Sequence, residues 1–190
     1  SLPRTICPRA APCIISTRAH EPLYHVADII DAHARVAQDR PDARLVVAHG
    51  GSLTAELRRR AESSGARVEF AGFLARAEFR EALSQAHVFV SVPASDATSV
   101  ALLQAMGAGA FPIVSDLPSQ REWIRDGFNG FLVPVGHPDV LAERIAQALD
   151  AHELRRAAAD VNRRLVEERG LNETQMAKME ELYRELAGRP

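Results

Sequence analysis

Lysine is all but missing from this chain. Of its 23 basic residues 22 are arginine, and the sole lysine is Lys178, so chemistry that requires a lysine before that position is excluded. Cysteine is nearly as scarce. Cys7 and Cys13 stand alone, in a spacing that fits no zinc site. They read as two reduced, inert thiols, because a cytosolic chain rarely carries a structural bridge. No apolar run approaches the roughly 20 residues of a membrane-spanning helix. The opening Ser1-Leu2-Pro3-Arg4 offers no charged-then-apolar signal segment. An excess of one charge is absent too: the formal net charge is −2, and no dominant basic nucleic-acid face is expected.

What is present is ordinary globular material. The 190 residues are 46% hydrophobic and 25% charged, enough for one domain or a domain with an appendage. Short apolar runs alternate with helical periodicity, the pattern of a parallel α/β sheet. Strands are expected at 13–16, 45–48, 68–70, 87–92, 112–115 and 131–133. Helices are expected at 23–37, 53–64, 76–85, 99–108 and 121–125, then at 140–149, 153–168 and 173–187. Continuous apolar strands mean burial on both faces. The predicted architecture is therefore a doubly wound, Rossmann-like parallel sheet of about six strands with extra C-terminal helices. Residues 1–12, with Pro3, Pro8 and Pro12, read as a lead-in.

Such sheets bind ligands at the carboxyl ends of their strands. Arg18 follows the first strand, where a guanidinium could clamp a phosphate in two-pronged fashion or stand as a solvated surface arginine. After the fourth strand a small polar loop, Pro93 to Thr98, feeds a helix beginning near Ser99. The free amides of Ser99, Val100 and Ala101 could hold an anion there. Asp96 and Gln104 can reach one small ligand, or Asp96, Thr98 or Ser99 caps the helix while Gln104 is a packed amide. His49-Gly50-Gly51 lacks the spacing of a dinucleotide or P-loop motif and reads as a tight turn. His20 and His25 lie near Arg18, but the seven histidines form no metal-ligand cluster. No G-x-S-x-G elbow is present. The chain reads as a binding half without an internal catalytic machine.

Phe89 to Val114, with Asp96, Gln104, Ala105, Met106 and Gly109 at the diagnostic places, resembles the donor-site signature of family 4 (group 1) glycosyltransferases. That pattern runs roughly S-x-x-E-x7-E-A-M-A-x-G-x-P-V-V. Arg44 to Gly51 is similar to the family's L-x-I-V-G-x-G, and Val68 to Leu74 to V-x-F-x-G-x-V. Glu122 to Val133 resembles E-x-I-x-D-G-x-N-G-x-L-V. These are retaining enzymes of GT-B fold, and the likeness covers about residues 13–168.

The resemblance implies that Arg18 contacts the donor diphosphate, Asp96 the donor sugar, and Gln104 the ribose in place of the family's second acid. It implies that the helix-start amides at Ser99, Val100 and Ala101 face the phosphates, that Thr98 also belongs to the donor site, and that the backbone at Leu74 touches the base. Tyr24 occupies the place of the family's lysine, as in an E-P-x-Y variant. The implied donor is a nucleoside diphosphate sugar of UDP or GDP type, with no cofactor, no metal and no nucleic acid. The acceptor site would belong to an N-terminal domain absent from this chain, so the isolated domain is expected to be inactive. The implied setting is cytoplasmic, with peripheral membrane association through that missing domain. Segment 169–190 either packs on this domain or reaches back to the missing one. The rival reading is a non-catalytic module that binds nucleotide sugars; a weaker one is a flavodoxin-like scaffold.

Overall fold

Runs of four or five buried Ile, Val, Leu and Phe need cover on both sides of the sheet they form. The computed structural model describes residues 6–7 and 11–169. Six strands make one parallel sheet: β1 (Cys13–Ser16), β2 (Arg44–Ala48), β3 (Val68–Gly72), β4 (Val88–Ser91), β5 (Phe111–Ser115) and β6 (Phe131–Val133). Their spatial order is β3-β2-β1-β4-β5-β6. The connections carry α1 (Val26–Asp39), α2 (Thr54–Ser64), α3 (Arg76–Gln85), α4 (Val100–Ala108) and α5 (Pro118–Arg121); α6 (Pro138–Asp150) and α7 (His152–Arg169) follow β6.

The two-residue period of a strand divides the core in two. Ile14, Leu45, Val47, Val88 and Val90 face a cluster that includes Ile29 and Ile30 of α1 and Ile145 of α6. Cys13, Ile15, Val46 and Phe89 face the opposite cluster, with Leu83 of α3 and Leu102 and Met106 of α4. β1 pairs with β2 on one side, Ile14 opposite Leu45, and with β4 on the other, Ile14 opposite Val88. Strand order therefore reverses between β1 and β4. In open α/β sheets the ligand site lies outside the carboxyl ends of the strands at such a reversal.

Two local departures from the expected pattern have physical causes. The first helix begins at Val26 rather than Leu23. Pro22–Tyr24 forms a separate 3-10 turn, and His25, at φ +50°, breaks the helical run. The short helix after β5 covers Pro118–Arg121 rather than 121–125, because Pro118 occupies its first turn, where a missing N–H costs nothing.

The cysteines correct the expectation of two reduced thiols. Cys7 and Cys13 are joined in a disulfide, their Cα atoms 5.8 Å apart. The chain before β1 folds back so that Ile6 and Cys7 are buried with Cys13 in the second core cluster. At that point the lead-in is packed structure. The expected helix 173–187 lies outside the described residues.

Candidate functional site

Arg18 stands two residues beyond β1, and the segment after β4 brings two residues to it. Its Nη1 donates to Ser99 Oγ at 2.8 Å, and Nη2 lies 3.0 Å from Asp96 Oδ2. The guanidinium sits over the Tyr24 ring, 4.3 Å from its centroid, a cation–π contact. Ser99 also caps α4, its Oγ accepting from the Leu102 amide at 3.4 Å. Two sources of positive potential, the arginine and the N-terminus of α4, thus meet at one point against a single carboxylate. The excess is positive, and the locus suits an anion.

The loop that carries Asp96 is pinned through its main chain. Ser119 Oγ donates to the Asp96 carbonyl at 2.7 Å, and Gln120 Nε2 to that of Ala97 at 3.4 Å. Ser115 Oγ donates to the Pro93 carbonyl at 2.7 Å, and Trp123 Nε1 to Thr98 Oγ1 at 3.4 Å. The Ala94 amide bonds to the Leu23 carbonyl at 2.9 Å, tying this loop to the one after β1. None of these supporting residues was marked in the sequence, because their partners are mostly backbone carbonyls of an irregular loop.

Across β1, the loops after β1 and β2 are stitched together. The His20 amide bonds to the Gly50 carbonyl at 3.1 Å, and the Leu53 amide to the His20 carbonyl at 2.9 Å. His20 Nδ1 meets Thr54 Oγ1 at 2.9 Å. Its ring is 1% exposed, and burial first of all holds its pKa below the usual value. The Glu21 carboxylate accepts from Ser52 N and Oγ, and these bonds hold it below the usual carboxylate range. A Cβ on Gly51 would sit 2.5 Å from Glu21 Oε1 and 2.6 Å from the His20 carbonyl. Glycine is required there for close approach, and His49-Gly50-Gly51 is the expected turn, with His49 at φ +77°. His25 is turned away to Asp28, Nδ1 to Oδ2 at 2.9 Å.

Among the described residues, buried side-chain polar atoms without a hydrogen-bond partner concentrate on this edge. Ser16 Oγ, Thr17 Oγ1, His20 Nε2, Asp96 Oδ2 and Gln120 Oε1 all lie there; only His33 Nδ1 and Gln85 Oε1 lie elsewhere. Each such atom carries a cost of about 1–3 kcal/mol when nothing compensates it, and such costs collect at functional sites. Large apolar side chains are exposed on the same edge: Leu23, Phe73 and Val100, Phe73 leaning on the His49 ring at 4.4 Å. An open groove of about 420 Å³ exists at the opposite, amino edge, lined by His87, His152 and Arg155 among others. Arg155 is spent there on the Ala148 and Leu149 carbonyls, so that groove is a packing seam.

The family described as glycosyl transferases group 1 matches residues 8–164. This chain belongs to it. The phosphatidyl-myo-inositol mannosyltransferase of Mycobacterium tuberculosis is 35% identical over 135 residues, 70% of this chain and 35% of its own length. Two solved structures share the fold. The pneumococcal O-GlcNAc transferase GtfA, in complex with UDP and GlcNAc, superposes with a TM-score of 0.81 at 19% identity, over 93% of this chain and 36% of that one. The C-terminal domain of the group 1 protein LpcC from Francisella tularensis gives 0.76 at 19% identity, covering 85% and 87%. The chain spans about a third of the length of the curated relatives it matches.

In this group 1 chain the structure gathers Arg18, Tyr24, Asp96 and Ser99 into one contact network. Arg18 is not a solvated surface arginine, its side chain being 11% exposed. Thr98 and Val100 are exposed at the start of α4, while Ala101 packs against the second core cluster. Gln104 stands exposed one turn beyond Val100, which removes the packed-amide alternative. Leu74 follows β3 on the same edge, partly buried against the second cluster. Leu74 and Gln104 share the edge with the Arg18 network without joining it. Among the described residues no group of three or more His, Cys, Asp or Glu is arranged to hold a metal ion, and no helix is long and apolar enough to cross a membrane.

Proposed function

We propose that this chain is the donor-binding domain of a retaining glycosyltransferase, which moves a sugar from a nucleoside diphosphate to a hydroxyl acceptor. The observation that carries the reading is Arg18 locked to Ser99 at the N-terminus of α4, 2.8 Å from guanidinium to hydroxyl. When the bond between sugar carbon and phosphate oxygen breaks, negative charge grows on the leaving diphosphate. Arg18 and the amides of Val100 and Ala101 then stabilise charge where it develops, with no reorganisation at that moment. Gln104 reaches the ribose hydroxyls, and the backbone at Leu74 lies toward the base. Asp96 serves the sugar. Donor binding calls on no metal, and the nucleotide is of UDP or GDP type.

The acceptor site and any peripheral association with the inner membrane face belong to an N-terminal domain beyond this chain. Its span of about a third of its curated relatives supports that division. Residues 13–168 form the donor domain and 1–12 its lead-in; segment 169–190 lies almost wholly outside the described residues. The isolated domain binds but does not turn over. One residue favours a second reading, a non-catalytic nucleotide-sugar-binding module: Gln104 is neutral where the family pattern has an acid.

Titrating UDP, GDP and ADP calorimetrically against this chain tests the proposal. Arg18→Ala is expected to weaken nucleoside diphosphate binding by about 1.5–3 kcal/mol, the range for a charged hydrogen bond, while nucleoside binding stays level. Equal losses for both ligands would remove the phosphate assignment. Turnover by the full-length protein separates the transferase from the non-catalytic module.

A further inference from the structure

Both terminal nitrogens of Arg18 are already engaged in the free protein, Nη1 by Ser99 and Nη2 by Asp96. The edge that would grip a phosphate is occupied. The side chains of Arg18 and Asp96 are 11% and 17% exposed, so water weakens their attraction less than it does for a surface pair. Yet the pair is imperfect. Asp96 Oδ2 is shut from solvent and takes no hydrogen bond of good geometry, so charge alone compensates it. Its backbone, meanwhile, is fixed by Ser119 at 2.7 Å. The carboxylate is therefore loosely held on a firmly held loop, and it can rotate away while the loop stays still. Tyr24 keeps the guanidinium plane in place from its other side.

We propose that Asp96 is an exchangeable internal counter-anion. It holds Arg18 ready at the head of α4 in the free protein, a donor diphosphate displaces it, and the freed carboxylate turns to the sugar. Asp96 is then a positioning residue for Arg18 before it contacts any substrate. A diphosphate outcompetes a carboxylate here because it brings more charge and also meets the amides of α4. The exchange has a direction. Spent nucleotide must compete with Asp96 for Arg18 and receives nothing in return, whereas the complete donor recovers the loss through its sugar. The device therefore selects loaded donor over released nucleoside diphosphate and helps to clear the product. The inference rests on Arg18 being the diphosphate ligand.

A double-mutant cycle on this chain tests it, with UDP, GDP and their hexose conjugates titrated calorimetrically against the unmodified protein, Asp96→Asn, Arg18→Gln and the double variant. Asp96→Asn is expected to tighten nucleoside diphosphate binding about fivefold, the factor for about 1 kcal/mol of ion pairing released. The preference for conjugate over nucleotide should fall in the same variant. In the Arg18→Gln background the gain should vanish, and melting temperature, measured on each variant, should fall by no more than the few degrees that about 1 kcal/mol of lost pairing is worth. An equal gain in both backgrounds would mean a general field effect and overturn the exchange. Unchanged or weaker nucleotide binding by Asp96→Asn would overturn it as well, making Asp96 a fixed brace. If the unmodified chain binds no nucleoside diphosphate, the donor reading fails first, and that failure is visible before any substitution is made.

Discussion

Gln104 shows most sharply what one side chain can change. A carboxylate at that place presents two acceptors to the cis-diol of ribose, whereas the amide presents one acceptor and one donor. Because Gln104 is exposed, a charge there need not be buried. Gln104→Glu is expected to tighten nucleotide binding by about 1 kcal/mol, as a charge-assisted bond replaces a neutral one. Calorimetry with the 2′,3′-dideoxy nucleotide should show no gain, and the melting temperature should not move. A stability loss with flat affinity would show that Gln104 does not face the ribose. At this scale the sequence is legible wherever a residue's placement follows from the chain itself. Arg18 could be placed from its distance past a strand, and Ser99 from its position before a helical run. Tyr24 stacking on Arg18 could not be read, nor could the grip of Ser119 on the Asp96 carbonyl, since both depend on how separate loops meet in space.

Among the elements, α4 joins stability to binding. Its cap, Ser99, spends one oxygen on both the Leu102 amide and the Arg18 guanidinium. Removing that oxygen should damage both at once. Ser99→Ala is expected to cost about 1 kcal/mol of stability, the usual worth of a cap, read by urea unfolding, and to weaken nucleoside diphosphate binding in the same protein. Ser99→Thr should restore both. Loss of stability with binding intact would detach the cap from the site. The far end of α4 closes with Gly109 at φ +89°, as a glycine after a helical run leads one to expect. Strands and long helices were readable because burial on both faces and helical spacing leave strong marks in residue order. The start of α1 was not, because periodicity runs on through Leu23 while His25, in a left-handed conformation, interrupts the backbone.

For the whole molecule, acid is the natural stress. His33, 0% exposed, has its pKa pushed by burial from 6.5 to about 4. The folded form keeps it neutral, while the unfolded chain takes up a proton below about pH 6.5. Stability is therefore complete above pH 6.5 and drains away as pH falls toward 4. His20, lowered for the same reason, adds in the same direction. At about 1.4 kcal/mol per pH unit between the two values, His33 accounts for roughly 3 kcal/mol. Melting curves between pH 7 and pH 4.5 should show the decline, and His33→Gln, which keeps a donor for the Arg67 carbonyl, should flatten it. The Cys7–Cys13 bridge is the other whole-molecule term. It closes a short loop, worth about 2 kcal/mol by chain entropy, so a thiol reductant should lower the melting temperature by several degrees. A flat response would mean that the buried packing of Ile6 and Cys7 suffices without the bond.

The contact between Arg18 and Ser99 also sets a timetable. Its two residues are 81 positions apart, one after β1 and one after β4. During synthesis the arginine emerges long before the hydroxyl that will fix it. No nascent chain that stops short of β4 and α4 can assemble this locus, whatever secondary structure its early strands have gained. Competence to hold an anion here therefore arrives late and all at once, as a property of the finished sheet.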